Sequence, residues 1–176
     1  MPKTIWICLI GMLFVIGCRN TSDIRQTGLR YVEIGSALPD VGEKEWFGMP
    51  IRDSLITEGD YSWRVVVMPY KEGQILFEEN VFDRTLLTRI RIETGDLSFR
   101  KDIRVGSTVE DLRSSFKKWE VFYMAEYELF DLSLRRYPSI HFLVQDKERA
   151  KNLTELELVT IEQLASEAKV LSIVIL

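Results

Sequence analysis

The chain has 176 residues, a formal net charge of −4, 46% hydrophobic and 11% aromatic side chains, two cysteines and one histidine. That length suits one compact domain, and the cysteine and histidine counts exclude Cys-ligated zinc and His-rich metal sites. Basic residues come in pairs (Arg89/Arg91, Arg100/Lys101, Lys117/Lys118, Arg135/Arg136) with acids between them, which argues against the continuous basic face that nucleic-acid binding needs.

The N-terminus reads Met1-Pro2-Lys3, then an apolar run from Ile5 to Ile16, then Gly17-Cys18-Arg19-Asn20. A charged start, a short apolar run and a small residue before the cut are the parts of a secretory signal. As a helix the run would reach roughly 18 Å, well short of a bilayer core of about 30 Å. Val15-Ile16-Gly17-Cys18 resembles the lipobox of bacterial lipoproteins. The resemblance implies that residues 1–17 are a cleaved signal and that the Cys18 thiol carries a diacylglyceryl group. It further implies that the membrane is a partner through that lipid. With Arg19 after the cysteine, the outer membrane is expected where the source has two membranes. Cys8 would leave with the signal and Cys18 would be consumed by lipid, so the mature domain is expected to have no free thiol and no disulfide. Residues 18–28 read as lipidated cysteine and polar tether, and 29–176 as the globular domain.

Along that domain, Trp63–Met68 is β-branched-rich and stops at Pro69. Gln74–Glu79 follows the turn signal Lys71-Glu72-Gly73, which predicts a hairpin. Leu87–Thr94 alternates, with Ile90 and Ile92 on one side and Arg89 and Arg91 on the other, as in a half-buried antiparallel strand. Val121–Leu134 alternates too, but its parity slips, which requires a bulge or turn near Leu129. Ser107-Thr108-Val109-Glu110 has the form of a capping box, and Val109, Leu112, Phe116 and Trp119 come after it at helical spacing. Thr160-x-x-Gln163 opens a second predicted helix over Ile161–Glu167, while residues 152–159 read equally as helix or loop. Val170–Leu176 reads as a buried central strand.

Ile34-Gly35-Ser36 and Val105-Gly106-Ser107 lie 71 residues apart, with Leu38 matching Val109 and Asp40-Val41 matching Asp111-Leu112. This suggests repeat units over 29–100 and 101–176. Strand, Gly-Ser turn, short helix and meander, seen twice, resemble the β-lactamase-inhibitor-protein-like fold shared with the small lipoprotein of the outer-membrane barrel-assembly machinery. The segment Ile103–Leu112 also resembles a pattern in uncharacterised bacterial lipoproteins. The expected class is α+β: antiparallel sheet with short helices packed on one face. The resemblance implies a binding or scaffold role and no chemistry.

The residues themselves favour a binding domain over an enzyme. His141 lies on a predicted strand, and no G-x-S-x-G elbow accompanies it. Only paired carboxylates could carry hydrolysis. Glu78 and Glu79 should point to opposite faces of a strand, and Glu126 and Glu128 should share one face about 7 Å apart. No cofactor or metal is expected. The candidate binding surface is aromatic: Trp119, Tyr123 and Tyr127, with Phe122 and Phe130 beside them and Trp46-Phe47 as a second patch. The competing reading is that most of these rings are core. An envelope protein is the first expected partner, and a small ligand or glycan the alternative.

Overall fold

The structure is a computed structural model describing residues 23–80, 85–153 and 158–176. The apolar run, Cys18 and the tether up to residue 22 lie outside the described residues, as do positions 154–157 of the undecided stretch.

The first half contains two short hairpins, β1 (Ile24–Arg25) with β2 (Gly28–Leu29) and β3 (Glu45–Trp46) with β4 (Met49–Pro50). A meander comes next: β5 (Arg52–Glu58), β6 (Tyr61–Tyr70), β7 (Gly73–Glu79) and β8 (Leu87–Ile92). The second half opens with β9 (Ser98–Phe99) paired to β10 (Ile103–Arg104), then the helix α1 (Val109–Ser115). A second meander completes it: β11 (Trp119–Met124), β12 (Leu129–Leu134), β13 (Tyr137–Gln145), a four-residue helix α2 (Lys147–Ala150), and β14 (Lys169–Ile175). The meanders form one antiparallel eight-stranded sheet, in the order β11-β12-β13-β14-β8-β7-β6-β5. Their last strands pair with each other at its centre, Ile173 opposite Ile92 and Ile175 opposite Ile90.

The fold is therefore mostly β, which overturns the α+β expectation of helices packed over a sheet. The helical spacing of Val109, Leu112, Phe116 and Trp119 misled because it spans a junction. Val109 and Leu112 are buried on α1, Phe116 leaves it in extended conformation (φ −138°, ψ 154°), and Trp119 begins β11. The cap is also one residue later than expected, with Thr108 and Asp111 forming the box. The second predicted helix is a single 3-10 turn over Ile161–Gln163, capped by Thr160 and Gln163 as expected, after which Leu164 is extended. The parity slip is a hairpin: a 3-10 turn over Ala125–Tyr127 ends at Glu128 in the left-handed region (φ 52°). The strand expected to stop at Pro69 instead runs through it to Tyr70, beside the hairpin turn.

The two Gly-Ser turns make the same bonds. Gly35 N donates to Leu87 O and Leu87 N to Ser36 O, at 2.7 and 2.9 Å. Gly106 N donates to Val170 O and Val170 N to Ser107 O, at 2.8 and 2.9 Å. Each turn thus clamps the last strand of its own meander, using a glycine at φ 86° or 90° that a side chain would strain. The two turns diverge at the next residue. Thr108 caps α1, whereas Ala37 in the equivalent place has no side-chain oxygen and no helix forms there.

One face of the sheet carries the main core. Phe77, Ile90, Ile92, Phe130, Leu132, Phe142 and Ile173 pack beneath Ile24, Phe99, Ile103, Val109 and Leu112. Trp63, Val65, Val67 and Leu76 form a smaller buried cluster apart from it, on the opposite face by strand alternation. Laid flat, eight strands would separate the sheet's edges by about 34 Å. Yet the Tyr127 hydroxyl, at the β11–β12 turn, donates to Glu58 Oε1 at the end of β5 across 2.8 Å. The sheet is therefore strongly twisted and coiled, bringing diagonally opposite corners together. Glu58 lies two residues after Ile56, the cross-strand partner of Trp63, so by alternation the corner clasp lies on the face of Trp63.

Candidate functional site

Four sequence pairs of cations divide into two very different places. On the concave face, Arg89 and Arg91 of β8 lie beside Glu78 of β7, whose residue is 1% exposed. Glu78 Oε2 accepts from Trp63 Nε1 at 3.0 Å and Arg89 Nε at 2.8 Å, and also from Arg89 Nη2. Arg91 Nη2 stands 3.2 Å from Glu78 Oε1 as an ion pair without hydrogen-bond geometry. Arg89 also lies over the Trp63 ring, 5.8 Å from its centre. Glu78 thus offsets one of the two guanidinium charges and ties both arginines to the sheet as a structural knot.

The other three pairs meet. The chain after β9 makes a tight turn through Arg100 and Lys101, α1 ends at Ser115 ahead of Lys117 and Lys118, and the β12–β13 turn carries Arg135 and Arg136. All six line one cavity of about 830 Å3 whose floor includes Phe116, Leu134 and Tyr137, and no acid lines it. All six are exposed, and among the described residues none pairs with a carboxylate. The nearest acid in sequence, Asp102, is turned to Arg104 at 3.4 Å.

Aromatic faces lie under three of these cations. Arg100 and Arg136 lie 5.0 and 5.7 Å from the centre of Tyr137, and Lys101 lies 5.0 Å from that of Phe116 while donating to Ser115 O. Phe99 packs edge-on against Tyr137 at 5.3 Å, fixing the floor from below. Lys101 (φ 60°) and Lys118 (φ 68°) both occupy the left-handed region, where a non-glycine residue is strained. Converging guanidinium and ammonium groups on a shaped apolar floor are suited to phosphate or carboxylate ligands.

The expected aromatic surface does not exist as one surface. Trp119 and Tyr123 face the main core, Tyr123 lying 5.0 Å from the buried Phe130. Phe122 is exposed on the opposite side of β11, and Tyr127 stands half-exposed at the corner clasp. Trp46 and Phe47 do meet, with ring centres 4.9 Å apart, and Phe47 lines a separate apolar hollow of about 390 Å3.

The carboxylate pairs are likewise occupied or apart. Glu79 accepts from Arg64 N at 2.6 Å, and Glu126 and Glu128 lie in the β11–β12 turn rather than on a common strand face, correcting that expectation. His141 donates through Nδ1 to Asp131 at 2.8 Å, and its Nε2 lies 3.1 Å from Pro138 O. Both ring nitrogens face acceptors, and the Asp131 hydrogen bond raises the His141 pKa above its ordinary value. That arrangement favours imidazolium and leaves no free lone pair for a general base. Among the described residues, no group of three or more His, Cys, Asp or Glu side chains could hold a metal ion.

No family model matches the chain, and no curated protein does. The fold is similar to the crystal structure of the uncharacterised protein yfeY from Escherichia coli, at 12% sequence identity and a TM-score of 0.56. The match covers 88% of this chain and 99% of that one. At that identity, the likeness establishes a shared fold and nothing about ligands.

Proposed function

We propose that this chain is a non-enzymatic envelope lipoprotein, held to the membrane through lipid on Cys18, whose domain binds an anionic partner. The observation that supports the binding role is the cavity formed by Arg100, Lys101, Lys117, Lys118, Arg135 and Arg136, six cations with no internal acid to satisfy them. Cations clustered without counter-ions repel one another, which an anionic ligand would relieve. This reading is preferred to docking through an aromatic patch, because the candidate rings lie on different faces. The anchor rests on the lipobox-like Val15–Cys18 and on the short apolar run before it.

Two measurements test the proposal. Trp119 Nε1 donates to Phe116 O at 3.2 Å, which links a tryptophan to the cavity floor. Titrating the lipidated protein with inorganic pyrophosphate should give a saturable change in tryptophan emission, lost in Arg135→Glu/Arg136→Glu. Absence of saturation, or an unchanged response in the double variant, would remove the binding role. Cys18→Ala should abolish lipid labelling of the protein by a radiolabelled fatty acid, and persistent labelling would remove the anchor.

A further inference from the structure

The described chain begins beside the segment that leads into the six-cation cavity. Asp23 N donates to Ser98 O at 3.0 Å, and Ser98 N donates to Asp23 Oδ2 at 3.2 Å. The start of the described chain is thus fastened to β9, and Arg100 comes two residues after Ser98. Cys18 precedes Asp23 by five residues, so chain length alone holds it within roughly 18 Å of this point. A bilayer's headgroup zone lies immediately above the hydrocarbon into which such a lipid inserts.

We infer that the six-cation cavity binds the phosphate-bearing headgroups of the bilayer that receives the Cys18 lipid, so the domain sits with this corner against the membrane. The inference rests on the anchored, anion-binding reading above and names the partner of that same site. The cavity's shape supports a headgroup over a nucleic acid or a flat acidic protein surface. Its six cations line one open hollow of about 830 Å3 over an apolar floor, instead of forming a continuous stripe. Electrostatics act in the same direction. The whole chain carries a net charge of −4, so the remaining surface is more acidic still and an anionic bilayer repels it. Polybasic clusters beside an anchor supply a second membrane signal. Here that signal sets orientation, since the lipid provides attachment.

Hydrogen exchange of the lipidated protein in vesicles separates these roles. The anchor holds the protein on vesicles of pure phosphatidylcholine and on vesicles that also contain phosphatidylglycerol, so any difference between them reports the cavity. Backbone amides of residues 100–102, 114–118 and 135–137 should exchange about fivefold more slowly on the phosphatidylglycerol vesicles, about 1 kcal/mol. Raised salt should reverse the slowing, and Arg135→Glu/Arg136→Glu should abolish it. Equal exchange on both vesicles, with protection by soluble pyrophosphate, would overturn the headgroup assignment and leave the anion-binding role intact. Equal exchange with no pyrophosphate effect would overturn both. Failure of the protein to float with neutral vesicles would instead refute the anchor.

Discussion

Arg89/Arg91 and Arg135/Arg136 look alike in sequence, two arginines close together in a β-rich chain, yet they have opposite roles. The first pair is held on a buried carboxylate, Glu78, which offsets one of its two charges. The second pair joins four more cations around a cavity with no acid and leaves its charge facing outward. Pairing with a buried carboxylate marks the first cluster as structural, and the absence of any lining acid marks the second as a place for something else. Each can be disturbed without touching the other, because they lie on different parts of the sheet.

The largest effect is expected at the structural cluster. Glu78→Ala removes the acceptor shared by Arg89 and Trp63 Nε1 and the ion-pair partner of Arg91, so it should cost about 2–3 kcal/mol in a denaturant titration. A much smaller loss would mean that Glu78 does not neutralise its neighbours. Next comes the helix that delivers Lys117 and Lys118 to the cavity. Thr108→Ala removes one half of the α1 capping box and should lower stability by about 1 kcal/mol. Pyrophosphate affinity should weaken in the same variant if α1 positions those lysines.

Charge reversal at the cavity should do the opposite of Glu78→Ala. Arg135→Glu/Arg136→Glu should change stability by no more than roughly 0.5 kcal/mol, since both side chains are exposed, while abolishing anion binding. A large destabilisation would make this cluster structural as well. Ser114→Glu, at the rim, would supply the missing acid and should weaken pyrophosphate binding several-fold with the fold unchanged. An unaltered affinity would show that cavity charge does not govern binding.

The smallest effect expected is a pH dependence at His141, which is paired with Asp131. Its folded pKa is raised by the Asp131 hydrogen bond, so its stabilising contribution is fully present below the unfolded value of about 6.5. It is lost as pH rises through the higher folded value. Asp131→Asn should flatten stability against pH across that window, as read by thermal unfolding at a series of pH values. A slope that persists in this variant would have to come from another group.

How much of this was legible in the residues depended on the range of the interactions concerned. Alternation identified the strands around Ile90 and Val121, because a side chain's face is set by its neighbours two positions away, while β-branched content marked the strand at Trp63 and a turn signal the one at Gln74. The slipped parity near Leu129 announced the β11–β12 hairpin for the same reason. Helical spacing over Val109–Trp119 failed where Phe116 turned extended, because tertiary packing draws Trp119 into the sheet. The aromatic candidates failed as one surface because alternation puts Phe122 and Tyr123 on opposite sides of one strand. Reading Arg100/Lys101, Lys117/Lys118 and Arg135/Arg136 as separate, screened pairs missed the cavity. The only hint was that the same kind of pair recurs at three chain reversals.

The sequence alone determined the strand segments around Trp63, Gln74, Ile90, Val121 and Val170, the Gly-Ser turns and the Thr160-x-x-Gln163 cap, which are read from patterns within a few residues. Only the tertiary structure decided that α1 is short, that the two meanders join through β8 and β14, and that the sheet coils until Tyr127 reaches Glu58. It also decided which arginines share a buried carboxylate and which gather around a cavity that no acid lines. Those outcomes depend on strands distant in the chain becoming neighbours, and charge acts through the distances that result rather than through separation along the sequence.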